Sequence, residues 1–178
     1  MSGGSRRRRA AVYADAVTAD ADATDAWFDW EMDLEVSEAL VSDESGRRFL
    51  QNTGIKLADR MTAVQRAAGD SMSPRGVGLL QLLAEQRDID LVGEIRVRVR
   101  RASDEALRID RVHVTTAMEL EEAALQELSS SLEKPDRNLR LTTEVDEKLL
   151  GGFIVRRGDD VLDLSVRARL ESLAATLR

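Results

Sequence analysis

The sequence predicts an α+β protein: an N-terminal all-α six-helix bundle over residues 10–105, then a small α+β domain over residues 106–178 with a β-hairpin and a C-terminal helix. Two observations carry that expectation. Before about residue 105, apolar residues recur at three- and four-residue steps, the spacing of one helix face. Beyond it, β-branched residues alternate and turn dipeptides appear. A third observation is what fills the cores: aromatics make up only 3% of the 178 residues, so Leu, Val, Ile and Ala must do so.

The opening "MSGGSRRRR" is basic, like the flank of a signal peptide. The following "AAVYADAVTADADATDA" is broken by Asp15, Asp20, Asp22 and Asp25, so it cannot act as the apolar region of one. Residues 1–9 therefore read as a flexible basic N-terminus, and a cytosolic location is the default. Trp27, Trp30, Leu34 and Val41 form the first clear stripe, with Ser37 inside it; Leu57, Met61, Val64 and Ala68 repeat the step. Gly46, Asn52-Thr53-Gly54 and Gly69 punctuate the series. Ser73-Pro74 opens another helix, since Ser caps free N–H groups and Pro at the first position loses no bond. Leu79, Leu80, Leu82 and Leu83 follow. "RVRVR" at Arg96 to Arg100 alternates like a strand, but Leu91, Ile95, Val99 and Ala102 keep the helical step over a longer span, which favours a helix. Near Ser103 both a hinge and a continuous helix are compatible with the residues.

"LRIDRVHVTTA" reads as a strand and "NLRLTTEV" as a second. Between them, Thr116 and Glu119 have capping-box spacing ahead of a helix carrying Leu125, Leu128 and Leu132, which Lys134-Pro135-Asp136 stops. "FIVRR" and "DVLDL" flank Gly158-Asp159, and Gly at the first central position suits a type II′ hairpin turn. Ser165 caps a last helix with Val166, Leu170, Leu173 and Leu177 on one face.

Composition excludes several functions. With no cysteine there are no disulfides or thiolate metal sites. No window approaches the roughly 18 apolar residues of a membrane helix. A net charge of −7 argues against nucleic acid as the main partner, despite Arg6 to Arg9 and Arg96 to Arg101. From Val12 to Ser45 there are eleven acids and no Lys or Arg, a solvated face or a surface for a basic partner. His113 is the only histidine and falls in a strand, so it reads as structural. "GDSMSPRGVG" lacks the preceding strand and GK[ST] ending of a phosphate loop. Asp159, Asp160 and Asp163 beside a hairpin read as solvated acids, and Arg157-Gly158-Asp159 as a turn and not an adhesion tag. No catalytic residue, metal ligand or cofactor site emerges.

The hairpin region carries a resemblance. "VDEKLLGGFIVRRGDDVLDLSVRARLESL" resembles the C-terminal signature of the F-type ATP synthase δ subunit family, which includes the mitochondrial oligomycin-sensitivity-conferring protein. That pattern runs Val-Asp-Pro-x-Leu-Ile-Gly-Gly, an apolar stretch to Gly-Asp, then Asp-Gly-Ser-Val-Arg and a Leu-rich helix. Gly151, Gly152, Gly158, Asp159, Asp163, Ser165 and Arg167 fall into place. "VYADAV" is similar to the opening of the family's first helix, "GLLQLLAEQRDIDLVGEI" to its fifth and sixth, and "VHVTTAMELEEAALQEL" to its strand-to-helix passage. Departures are Glu147 for Pro, Met118-Glu119-Leu120 for Pro-Leu-Thr, "PDRN" for a frequent Gly-Lys, and Leu164 for Gly, where a left-handed backbone would be strained.

What the resemblance implies is a non-catalytic stator subunit, one copy per complex, on the cytoplasmic face of the cell membrane. Its helical domain would receive the α-subunit N-terminal helix in a groove between the first and fifth helices. Its C-terminal domain would receive the C-terminal end of the b subunit, the peripheral stalk. Tyr13, Ala16 and Val17 would form one wall and Leu79, Leu82 and Leu83 the other, with Asp15 and Asp20 on the rim. Leu79 and Leu83 equally suit the core, and Leu82, one step off the main stripe, suits an interface better. The competing readings are a free-standing cytosolic adaptor using the same groove, a carboxylate enzyme and a nucleic-acid binder.

Overall fold

The computed structural model describes residues 3–176. The chain divides into two compact units that part between Ser103 and Asp104.

The first unit is helical: α1 (Gly3–Thr24), α2 (Trp27–Ser42), α3 (Glu44–Gln51), α4 (Leu57–Ala68), α5 (Pro74–Glu85) and α6 (Val92–Ala106), with 3-10 turns at Gly69–Ser71 and Ile89–Leu91. Its core draws on every helix, with Ala14, Leu34, Leu50, Val64, Leu80 and Ile95 among the buried side chains. Each such burial of a large aliphatic side chain is worth about 1.5–3 kcal/mol. Helix α1 begins at Gly3, so the arginine run expected as a flexible lead-in is helical from that point. Arg is a good helix former, and Arg9 is fixed by an ion pair at 3.0 Å to Asp88, which is 4% exposed. The alternating "RVRVR" is helical within α6, because Ile95 and Val99, both at 0% exposure, must share the inner face. Helix α6 runs through Ser103 without a break.

Polar side chains set the helix junctions. Asp25, with φ 52°, makes the left-handed turn between α1 and α2, and Trp30 Nε1 donates to Asp20 Oδ2 at 2.9 Å. Asp33, only 2% exposed, accepts from the Ser73 amide and hydroxyl, both at 2.6 Å. Ser73 Oγ in turn accepts from the Gly76 amide at 3.2 Å, as its Ser-Pro context predicts. The approach is close: a Cβ on Gly76 would lie 2.4 Å from Asp33 Cγ.

The second unit is a four-stranded sheet of order β2-β1-β3-β4, formed by β1 (Ile109–Thr116), β2 (Asn138–Val145), β3 (Phe153–Arg157) and β4 (Asp160–Asp163). Helix α7 (Glu122–Leu132) is the crossover between the parallel strands β1 and β2. Strand β3 pairs antiparallel to β1 and β4 to β3. Val112, Val114 and Val155 are the buried core, closed by Leu128, Leu132, Leu139, Leu141 and Phe153. Helix α8 (Val166–Thr176) ends the described chain, and Leu177 lies outside the described residues.

The expected capping box is not formed. Thr116 is the last residue of β1, paired with Val145, and its hydroxyl donates to the Met118 carbonyl at 2.7 Å. Helix α7 starts only at Glu122, with Glu121 as an N-cap that makes no side-chain bond. The extra strand pairing takes Thr116 away from the helix, which local spacing could not reveal.

Candidate functional site

The sequence motif around the hairpin resolves into scaffold. Arg157 pairs with Asp160, so the loop is the two residues Gly158-Asp159. Gly158 has φ 61° whereas Asp159 is not in the positive-φ region, which makes the turn II′ and not I′. Gly152, at φ 77°, is the more demanding glycine: a Cβ there would sit 2.4 Å from the Leu164 carbonyl oxygen. Leu164 itself does not adopt a positive φ, so the strain expected from its replacement of Gly is absent. Its amide donates to the Phe153 carbonyl at 2.9 Å, continuing the β3–β4 pairing.

Asp163 and Ser165 form a cap. The Ser165 amide donates to Asp163 Oδ1 at 2.9 Å, and Ser165 Oγ accepts from the Ala168 amide at 3.2 Å. Hydrogen bonds from the Ser165 hydroxyl and then its amide hold the Asp163 carboxyl below its ordinary range. Gly151, φ 150°, accepts from the Val166 amide at 3.0 Å, which ties the start of α8 to the sheet connection. Arg167 pairs with Glu171 one turn on at 3.1 Å, both exposed. Gly151, Gly152, Gly158, Asp163, Ser165 and Arg167 thus each have a visible local duty, and Asp159 is the second residue of the turn.

Chemistry is otherwise sparse. His113 Nε2 lies 3.0 Å from Glu144 Oε2 across β1 and β2, a surface pair on a sheet face. No group of three potential metal ligands occurs among the described residues. Nor, among them, is any helix long and apolar enough to cross a membrane. The basic run of α6 is partly spent within its own unit: Arg96 pairs with Glu38 and Glu35, and Arg98 with Glu94 at 3.2 Å.

What the first unit does offer is a strip between α1 and α5. Arg75, at the start of α5, reaches Asp20 at 3.0 Å and Thr24 at 2.8 Å near the end of α1. At the other end, Asp88, just past α5, holds Arg9 and accepts from the Tyr13 hydroxyl at 3.3 Å. Burial raises the Tyr13 pKa, and the charge of Asp88 and that bond add to it. These two clasps set the helices side by side and antiparallel. Between them lie Ala16 and Val17 on α1 and Gly78, Leu79 and Leu82 on α5.

Six residues were expected as groove walls, and they divide by burial. Leu82 is 42% exposed, Ala16 is exposed, and Tyr13 and Leu79 are half-buried. Val17 at 3% and Leu83 at 0% are sealed in the core, so they underlie the strip and do not present a wall. Asp20 is likewise committed to Trp30 and Arg75, which leaves Asp15 as the exposed acid of the expected rim. Gly78 was missed: a Cβ there would meet nothing within 4 Å, so it adds open space beside Leu82. Its position one turn before Leu82 was the available signal.

The second unit carries a larger unpartnered face. Val166, Leu170 and Leu173 are 41%, 54% and 61% exposed and occupy one side of α8 at steps of four and three. Leu150 at 75%, Val161 at 61% and Leu162 at 56% are the other exposed apolar residues around the hairpin. Soluble chains seldom leave so many large aliphatics in water without use.

Comparison with known proteins bears on what these faces serve. A family model described as ATP synthase delta (OSCP) subunit matches residues 10–177. An "ATP synthase subunit delta" of Alcanivorax borkumensis is 32% identical over 166 residues, covering 93% of each chain. One of Methylobacillus flagellatus is 30% identical over 169 residues, covering 93% of this chain and 94% of that one. A chain of the Toxoplasma gondii mitochondrial ATP synthase hexamer superposes with a TM-score of 0.64 at 21% identity, over 97% of this chain and 96% of that one, a likeness of fold.

Proposed function

The chain belongs to the ATP synthase delta (OSCP) family, and from that premise we propose that it is a non-catalytic stator subunit of the F-type proton-translocating ATP synthase. It links the catalytic head to the peripheral stalk so that rotor torque drives ATP synthesis and does not turn the head. The observation that carries this reading is one exposed apolar surface on each unit: the strip around Leu82, and the α8 face of Val166, Leu170 and Leu173. A tether needs two such surfaces; a free-standing adaptor needs one.

In this reading the helices α1–α6 act as a six-helix bundle within residues 10–105, and the α1–α5 strip receives the N-terminal helix of an α subunit. Leu82 and Leu79 supply apolar contact, Ala16 and Gly78 allow close approach, and Tyr13 closes one end. Exposed Asp15 favours a partner helix carrying Lys or Arg. The domain of residues 106–178 receives the C-terminal end of the b subunit on the α8 face. One copy serves each complex, on the cytoplasmic face of the membrane, with no cofactor. A stator contact that survives dilution needs a Kd near nanomolar, about 12 kcal/mol, and such energy concentrates in a few side chains.

Calorimetric titration of the full chain with a peptide of the first twenty or so α-subunit residues tests the head contact. Saturable one-to-one binding is expected, reduced at least about 30-fold by Leu82→Asp with an unchanged circular-dichroism spectrum. A folded chain that does not bind the peptide would return the groove to the adaptor reading.

A further inference from the structure

A cavity of about 450 Å3 opens among α3, α4 and the connection from α5 to α6. It shares no residue with the α1–α5 strip. Leu50, Leu57, Ala84 and Ile89 give it apolar walls, and Arg60, Glu85 and Arg87 border it. The volume falls in the range of small-molecule sites, roughly 300–1,000 Å3.

Arg60 makes this cavity unusual. It is only 7% exposed. Its Nη1 donates to the Leu50 carbonyl at the end of α3, but its Nε is buried and finds no acceptor. Among the described residues, no carboxylate comes within 4.0 Å of the guanidinium. A buried charge with a single neutral acceptor is costly, and an anion alongside it removes most of that cost. A carboxylate is the anion whose two oxygens match the guanidinium edge. Arg87, held at φ 58° beside the same cavity, adds a second positive charge. Glu85 is turned along its own helix, where Gln81 donates to it at 3.1 Å, and its charge disfavours a dianion.

We propose that this cavity is a binding site for a small monocarboxylate with a short apolar body, the carboxylate on Arg60 and the body against Leu50, Leu57 and Ala84. The site is independent of the stator contacts.

Hexanoate, hexanamide and inorganic phosphate are the probes, each titrated into the full chain while the amide resonances of Leu50, Leu57, Ala84 and Ile89 are followed by NMR. Hexanoate should saturate with a Kd of about 1 mM or below. Hexanamide, isosteric but neutral, should bind about tenfold more weakly, and phosphate more weakly than hexanoate. Ala84→Leu adds bulk to the cavity wall where the apolar body would lie, so it should weaken hexanoate at least about tenfold while the thermal melt stays the same or rises. Glu85→Gln should tighten hexanoate about two- to threefold by removing a like charge. Shifts that never saturate, equal binding of hexanamide, or full binding by Ala84→Leu would overturn the proposal. So would a Glu85→Gln chain that melts lower and still takes up no hexanoate, because Glu85 would then be the counter-ion of Arg60.

Discussion

In the helical unit, Leu34, Leu50, Leu80, Leu83, Ile95 and Val99 are all at 1% exposure or less, while among the described residues of the sheet unit the buried cluster is Val112, Val114 and Val155, with Ile109 at 9%. The sheet unit meanwhile leaves Leu150, Leu170 and Leu173 at 75%, 54% and 61%. Both are built from the same aliphatic residues, so the difference lies in what each geometry can enclose. The helices α1–α6 each contribute buried side chains to one shared cluster. A single sheet with one crossover helix buries one face, and α8 keeps Val166, Leu170 and Leu173 exposed. The helical unit therefore encloses most of its apolar surface, and the sheet unit leaves a larger share of its own exposed among the described residues.

The largest effect should come from the richer core. Leu80→Ala is expected to destabilise the helical unit by about 2–5 kcal/mol. In urea unfolding followed by hydrogen exchange, protection should fall across α1–α6 and stay unchanged in β1–β3; a parallel loss in the strands would merge the two units into one cooperative block. Next, Gly152→Ala in the sheet unit should cost about 2–3 kcal/mol, because the new methyl meets the Leu164 carbonyl at φ 77°. Gly158→Ala, with open space around it, should cost only about 1 kcal/mol. Equal melting points for the two variants would deny the close approach at Gly152.

Asp33→Ala removes both acceptors at the start of α5, leaving the Ser73 amide short of a partner. A loss of about 1–3 kcal/mol in chemical denaturation is expected, confined to the helical unit. The smallest change concerns the α8 cap. Because the folded state holds the Asp163 pKa below its unfolded value, its contribution is complete above the ordinary carboxylate range and is lost as pH falls through the lowered value. Asp163→Asn should therefore melt below the parent chain at neutral pH and together with it in strong acid. A difference that persists in acid would mean that the cap does not depend on the carboxylate charge.

Much of this was legible from residue order alone, because helix stripes, the II′ turn at Gly158-Asp159 and the Ser73 and Ser165 caps are interactions within a few residues. The strands "NLRLTTEV" and "FIVRR" begin and end where alternation and turn residues place them. Of the candidate surface, Leu82 stood out because it is off the main stripe. What residue spacing could not supply depends on partners distant in sequence. Pairing with Val145 draws Thr116 into β1 and cancels the capping box. Asp88 pins Arg9 and Tyr13, and Asp33 reaches across 40 residues to start α5. Val17 and Leu83 are core and Ala16 and Leu82 surface, though each pair is adjacent in sequence and apolar, since only the packing of neighbouring helices decides which of two apolar neighbours meets water. Arg60, an ordinary charge in the sequence, becomes a buried cation for the same reason: the fold sets it against the Leu50 carbonyl at the border of a cavity.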